Sequence, residues 1–142
     1  MRGYLILLLS LVLWGCDDVE LPKDVAVVYP NLPEEIDYNL HVKSILSDKC
    51  FSCHGPDMKK QKAELRLDIA SFAYSKVTES GLKAIEPGSI SQSELVQRIL
   101  SEDDEYKMPT PESHLELSAY EKAVLIKWVK QGAEYKPHWA FV

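Results

Sequence analysis

Two cysteines and a histidine stand together in the run Cys50-Phe51-Ser52-Cys53-His54. Residues three apart on a helical turn project to the same side. Thiols at Cys50 and Cys53 can therefore add to two vinyl groups on one edge of a porphyrin. The adjoining His54 can then offer a ring nitrogen to the iron, which is the C-x-x-C-H attachment of a c-type haem. Three other chemistries compete. A redox disulfide of the thioredoxin kind needs a neighbouring βαβ pattern, which the sequence lacks. Zinc asks for four ligands, usually as two separated pairs, and here there is one pair. A structural disulfide closing so small a loop would stabilise little. The spacing favours one covalent haem c, with Cys50 and Cys53 as thioether sites and His54 as the proximal axial ligand.

A second axial ligand is sought further along the chain. Met108, in Tyr106-Lys107-Met108-Pro109, follows His54 by 54 residues and falls in an irregular stretch between two helical patterns. His114 is its rival, and bis-histidine ligation would lower the potential. Met58 sits only four residues past His54, on the proximal side, and reads as a loop residue near the haem edge. His41 precedes the motif and reads as a surface or haem-edge residue. His/Met ligation raises the potential and suits electron transfer, so Met108 is favoured. Leu46, Leu95, Ile99, Leu125 and Trp128 are candidate pocket walls, or equally ordinary helix–helix core. Arg66 is a partner for either a haem propionate or Asp68. No nucleophile–base–orienter set is present, so no catalytic residue is assigned, and an electron carrier is favoured over a catalyst.

The elements that must position these residues read as helices. Tyr38, Val42, Ile45 and Leu46 form a helical stripe, with Asp37 as N-cap, and this helix runs straight into Cys50. Ile69 to Ser75 reads as a short helix, and Glu86-Pro87-Gly88 as a turn. Leu95, Val96, Ile99 and Leu100 mark a second helix, with Ser91 and Glu94 at capping-box spacing. Ser118 and Glu121 repeat that spacing before a third, in which Val124, Leu125, Trp128 and Val129 share a face. Gly132 is a C′ stop for it. Alternating strand patterns are almost absent, so the fold expected is all-α.

The first residues read as an address. Arg2 precedes an apolar run of about ten residues, and Leu13-Trp14-Gly15-Cys16 follows, so residues 1–15 form a secretory signal. The run is shorter than the roughly 18 residues a membrane span requires. Leu13-Trp14-Gly15-Cys16 resembles the bacterial lipoprotein cleavage box, which makes Cys16 a lipidation site. Export across the bacterial inner membrane follows, to the periplasmic side or the outer membrane, with a lipid anchor. Pro22, Pro30 and Pro33 make residues 16–35 an extended tether, in which Val25 to Tyr29 is a short strand or a strip packed on the domain. The domain itself occupies residues 36–142.

The chain has 142 residues, enough for one domain with short extensions. Its formal net charge of −6 and its lack of a basic run argue against nucleic acid as a partner.

From Ile36 to Phe141 the chain resembles the planctomycete-type cytochrome c domain, a relative of the class I cytochrome c fold. The likeness rests on ordered segments: Asp37-Tyr38, Cys50-Phe51-Ser52-Cys53-His54-Gly55-Pro56-Asp57, Leu65-Arg66-Leu67-Asp68, Pro87-Gly88-Ser89, Ser93 to Ile99, Met108-Pro109, Leu125-Ile126-Lys127-Trp128 with Gly132-Ala133, and His138-Trp139-Ala140-Phe141. It implies a small helical domain around one haem c, Cys50 and Cys53 as thioether sites, His54 as proximal ligand and Met108 as distal ligand. Thr110 departs from the family's usual doubled proline. In this family the domain usually opens a much longer protein. A standalone short form or a fragment is therefore expected, with His138 to Phe141 as a docking edge or the lead into further domains. Three functions are implied: a membrane-tethered electron carrier serving an unknown redox partner, a haem enzyme or sensor with an open sixth position, and a haem-bearing interaction module.

Overall fold

The structure, a computed structural model, describes residues 19–137. The signal segment 1–15, Cys16 and the segment His138–Phe141 lie outside the described residues. The described residues hold six α-helices: α1 (Lys23–Val28), α2 (Lys43–Lys49), α3 (Phe51–His54), α4 (Ala70–Ser75), α5 (Glu94–Leu100) and α6 (Ala119–Lys130). Short 3₁₀ turns at Tyr29–Asn31 and Pro111–Ser113 and a π-helical turn at Tyr38–Val42 complete the set. Among the described residues there is no β-sheet, and only isolated bridges join Val77 to Lys83 and Lys83 to Ser93. The domain is all-α.

The longest helix, α6, organises the core. Ser118 caps it: its hydroxyl accepts from the Glu121 N–H at 3.2 Å, and the Glu121 carboxylate accepts from the Ser118 N–H at 2.7 Å. At the other end Gly132 takes φ +107°, a conformation L side chains rarely adopt. The Ala133 N–H then reaches back to the Trp128 carbonyl at 2.9 Å and the Gly132 N–H to Val129 at 3.0 Å, a Schellman closure. Between these caps Ala123, Val124, Leu125, Ile126, Trp128 and Val129 are all buried. A helix apolar on so many sides needs cover from more than one direction. α1 covers one side, while the Tyr38–Val42 turn and α5 cover others.

That cover corrects the reading of an extended tether over the described part of that segment, residues 19–35. Lys23–Val28 is helical, Tyr29–Asn31 continues as a 3₁₀ turn, and Val25 is fully buried. The prolines bound the segment rather than pervade it. Pro22 occupies the N-cap position, where its missing N–H costs nothing. Pro30 falls in the closing turn, which leaves Lys23–Val28 free to coil.

The first stripe forms as its spacing predicts, with Tyr38, Val42, Ile45 and Leu46 buried. Asp37 accepts from the Asn39 and Leu40 N–H groups at 2.8 and 3.0 Å. In return, His41 Nδ1 accepts from the Asp37 N–H at 2.9 Å, so His41 closes the cap. The C-terminal strip returns to this point: Lys136 reaches the Asp37 carboxylate at 3.1 Å, and Asn39 Nδ2 donates to the Pro137 carbonyl at 2.9 Å. The Leu40 N–H bond, with Lys136 beside it, holds the Asp37 carboxyl below the ordinary carboxylate range. A lowered folded-state pKa contributes stability above the unfolded value, near pH 4, which is lost as the pH falls through the folded value. Asp37→Ala should therefore cost about 1 kcal/mol at neutral pH, and the difference from wild type should shrink in acid. Asp37→Asn, which can still cap, should lose only a few tenths. Urea unfolding midpoints at neutral pH and below about pH 4 read both; a deficit for Asp37→Ala that does not change with pH would contradict this account.

The expected capping box of Ser91 and Glu94 does not form. The α5 helix opens at Glu94 with Ser93 in the N-cap position. The Ser93 hydroxyl turns instead to the Ser89 carbonyl at 2.7 Å and accepts from the Glu86 N–H at 2.9 Å. The Glu94 carboxylate is claimed elsewhere, by Ser80 and Arg98.

Candidate functional site

The α2 helix delivers the chain to Cys50, whose N–H donates to the Leu46 carbonyl at 2.9 Å. The next turn is wound on Cys50 itself: its carbonyl accepts from the Cys53 N–H at 3.1 Å and the His54 N–H at 2.8 Å. Helical winding thus sets the two cysteines one turn apart, as the spacing predicts. Both are free and half-buried. Gly55 ends the turn. A Cβ there would lie 2.4 Å from the Phe51 carbonyl oxygen, so only glycine fits without the turn shifting.

After a polar loop the chain returns to the motif. The Lys62 N–H donates to the Cys53 carbonyl and the Leu67 N–H to the His54 carbonyl, each at 2.8 Å. This stitching turns residues 62–67 into one wall of a cavity of about 640 Å³, which Cys50, Cys53 and His54 also line. Leu65, Leu67, Leu95, Ile99, Leu115 and Leu117 supply its apolar surface. Its volume lies in the range of about 300–1,000 Å³ usual for ligand and cofactor sites.

Met108 is half-buried and lines the same cavity, together with Pro109 and Thr110. Its three rivals do not line it. His114 is exposed, Met58 is 81% exposed, and His41 is occupied in the Asp37 cap. Of the expected walls, Leu95 and Ile99 line the cavity. Leu46, Leu125 and Trp128 do not; they are buried in the core behind it. Arg66 is not at the cavity either, because its guanidinium grips Asp68 with Nε at 2.7 Å and Nη2 at 2.5 Å. The cations that do line it are Lys49, Lys62, Lys76 and Arg98.

Burial tunes the chemistry. Desolvation pushes the Cys50 thiol up to about 12, far from the low values of reactive redox cysteines. Desolvation also lowers His54, against a hydrogen bond with the Lys62 backbone that raises it, which favours the neutral imidazole; its Nδ1 is buried with no hydrogen-bond partner. A neutral, partly unclaimed imidazole beside two unpaired thiols fits a metal-bearing ring attached at this wall. No group of three or more His, Cys, Asp or Glu side chains gathers to hold a bare metal ion among the described residues.

Behind the cavity, Tyr135 packs tilted against Tyr38 and edge-on against Trp128 with centroids 4.8 and 5.2 Å away, and its hydroxyl donates to the Leu67 carbonyl at 2.8 Å. The C-terminal strip therefore braces the wall beyond the motif. Sequence reasoning missed that brace, the leucines at 65, 67, 115 and 117, and the buried Glu94. Burial tends to raise the Glu94 carboxyl, but hydrogen bonds from Ser80, Arg98 and Tyr106 together hold it below its ordinary value. Its one visible signal was the i, i+4 spacing to Arg98.

An all-α domain with a C-x-x-C-H turn on the wall of an apolar cavity is consistent with a cytochrome c-like domain. Residues 50–112 match the family model of planctomycete cytochrome c. The match begins at Cys50 and takes in Met108; it is shorter than the span from Ile36 to Phe141 over which the motifs were read. No curated protein and no solved structure matches the chain.

Proposed function

We propose that the domain is a monohaem electron carrier in which Cys50 and Cys53 form the thioethers, His54 is the proximal ligand and Met108 the distal one. The observation that carries this reading is that all four side chains line one apolar cavity, while His114 and Met58 do not. When bound, the haem supplies a one-electron iron couple. The protein's part is to hold, shield and bias it. The thioethers make loss of the ring impossible without bond cleavage. The Met108 thioether, a soft ligand, favours the reduced iron, and the leucine walls do the same by disfavouring the extra charge. Lys62 and Lys76 at the cavity are suited to balance the two haem carboxylates.

Export and a lipid anchor at Cys16 are part of the same proposal, supported by the apolar leader and the Leu13-Trp14-Gly15-Cys16 box. No helix among the described residues is long and apolar enough to cross a membrane. A lipid on Cys16 would add its own mass to the mature chain, and an intact mass without it would remove the anchor from the proposal. The redox partner is a protein that meets this domain on the far side of the inner membrane.

The carrier reading is tested on protein matured in a host that attaches c-type haem. Oxidised protein should show a sulfur-to-iron charge-transfer band near the red edge of the visible spectrum, and reduced protein should bind carbon monoxide slowly. A high-spin ferric spectrum with rapid carbon monoxide binding would overturn it in favour of an open sixth position, as in a haem enzyme or sensor.

A further inference from the structure

Ser93 and Glu94 are the buried polar side chains among the described residues, and Glu94, 2% exposed, is the charged one. A carboxylate in such a place must be paired and hydrogen-bonded, or it destabilises the fold. Three separate pieces of the cavity converge on it. Ser80 Oγ donates to Oε2 at 2.6 Å, from the loop whose Val77, Thr78 and Glu79 line the cavity. Arg98 Nε, one turn along α5, donates to Oε1 at 2.8 Å. The Tyr106 hydroxyl, on the stretch that carries Met108, is close enough to help hold the Glu94 carboxyl below its ordinary value.

Arg98 doubles the link. Its Nη1 donates to the Tyr106 carbonyl at 3.1 Å, and its guanidinium lies 4.4 Å from the Tyr106 ring centroid. Its backbone carbonyl accepts from the Met108 N–H at 3.1 Å. Residues 101–110 contain no helix, so these bonds tie the Met108 stretch to α5 where regular structure does not.

We propose that Glu94 and Arg98 are positioning residues for Met108: the ion pair, buried at its Glu94 end, anchors Tyr106 through Arg98 and thereby keeps the Met108 thioether at the cavity. The inference rests on Met108 as distal ligand. The consequence is an equilibrium between Met108 engaged and Met108 withdrawn, which the network biases toward engagement. An added ligand that needs the withdrawn state binds with an apparent affinity scaled by the population of that state.

Imidazole is the probe, titrated into oxidised holoprotein while the charge-transfer band is followed. Glu94→Gln keeps the shape but removes the charge, and Tyr106→Phe removes a single hydroxyl. Weakening the anchor in Glu94→Gln should tighten apparent imidazole binding by about tenfold, with a smaller shift in the same direction for Tyr106→Phe. Gln131→Ala breaks the tie between α6 and residues 34–36, away from the cavity. It should lower thermal stability yet leave imidazole affinity within about twofold of wild type. Glu94→Gln and Tyr106→Phe both binding imidazole like wild type would overturn the proposal, as would Gln131→Ala shifting it as far as Glu94→Gln. If Glu94→Gln does not accumulate, Tyr106→Phe decides. A wild type without the charge-transfer band removes the Met108 reading and this inference with it; a wild type with the band and silent variants removes the inference alone.

Discussion

Replacing Met108 with alanine should abolish the charge-transfer band of the oxidised protein while leaving the porphyrin attached. The side chain is half-buried at the cavity, and among the described residues the one other methionine or histidine that lines it is His54, already assigned as proximal ligand. His114 takes a left-handed conformation with φ +55° at the end of the Pro111–Ser113 turn, and it is exposed. Water or an added ligand should therefore occupy the vacated position. The potential should fall by on the order of 0.1 V or more, a modest share of the ~0.8 V that axial ligands span. Carbon monoxide binding to the reduced variant should become fast. A variant that keeps the band, or keeps the wild-type potential, would mean that the distal sulfur comes from elsewhere. His114→Ala is the companion measurement, and it should leave band and potential alone.

The second large effect belongs to the cysteines. Cys50→Ala with Cys53→Ala removes both covalent links while His54 and the leucine walls remain. The expected product loses all of its haem to acidified organic solvent, whereas the wild type loses none. Each single variant should retain one thioether, and with it a haem that resists extraction. The desolvation that pushes the Cys50 thiol up to about 12 argues against a reactive dithiol in this position. A double variant that still held haem against extraction would show a covalent link outside the motif.

What was legible in the sequence is what is encoded locally. The C-x-x-C-H turn, the Asp37 and Ser118 caps and the Gly132 stop all depend on residues within one or two turns of each other, and the structure reproduces the caps and the stop. The stripes of α2, α5 and α6 were legible for the same reason. What each stripe faces was not. Leu125 and Leu95 look alike in periodicity, yet Leu95 lines the cavity and Leu125 lies in the core. Periodicity gives the face of a helix, not its neighbour.

Failures arose where distant groups outbid local ones. Ser91 and Glu94 have the spacing of a capping box, but the buried Glu94 carboxylate is drawn to Ser80, fourteen residues before it, and to Arg98. The segment before Leu32 looked too rich in proline to coil. Its helix exists because Val25 has a buried place against α6, which no local rule announces. Leu115 and Leu117 sit in an irregular stretch without a period, so their role at the cavity emerges only from the fold.

The central claim is that Cys50 and Cys53 end as thioethers to one porphyrin whose iron is held by His54. Intact-mass spectrometry of the unfolded, properly matured wild-type chain tests it most directly. The expected result is a single species carrying the mass of one haem, which persists after acid extraction and disappears in the double cysteine variant. A colourless protein at the mass of the bare polypeptide would contradict the account and leave an all-α domain with two half-buried thiols.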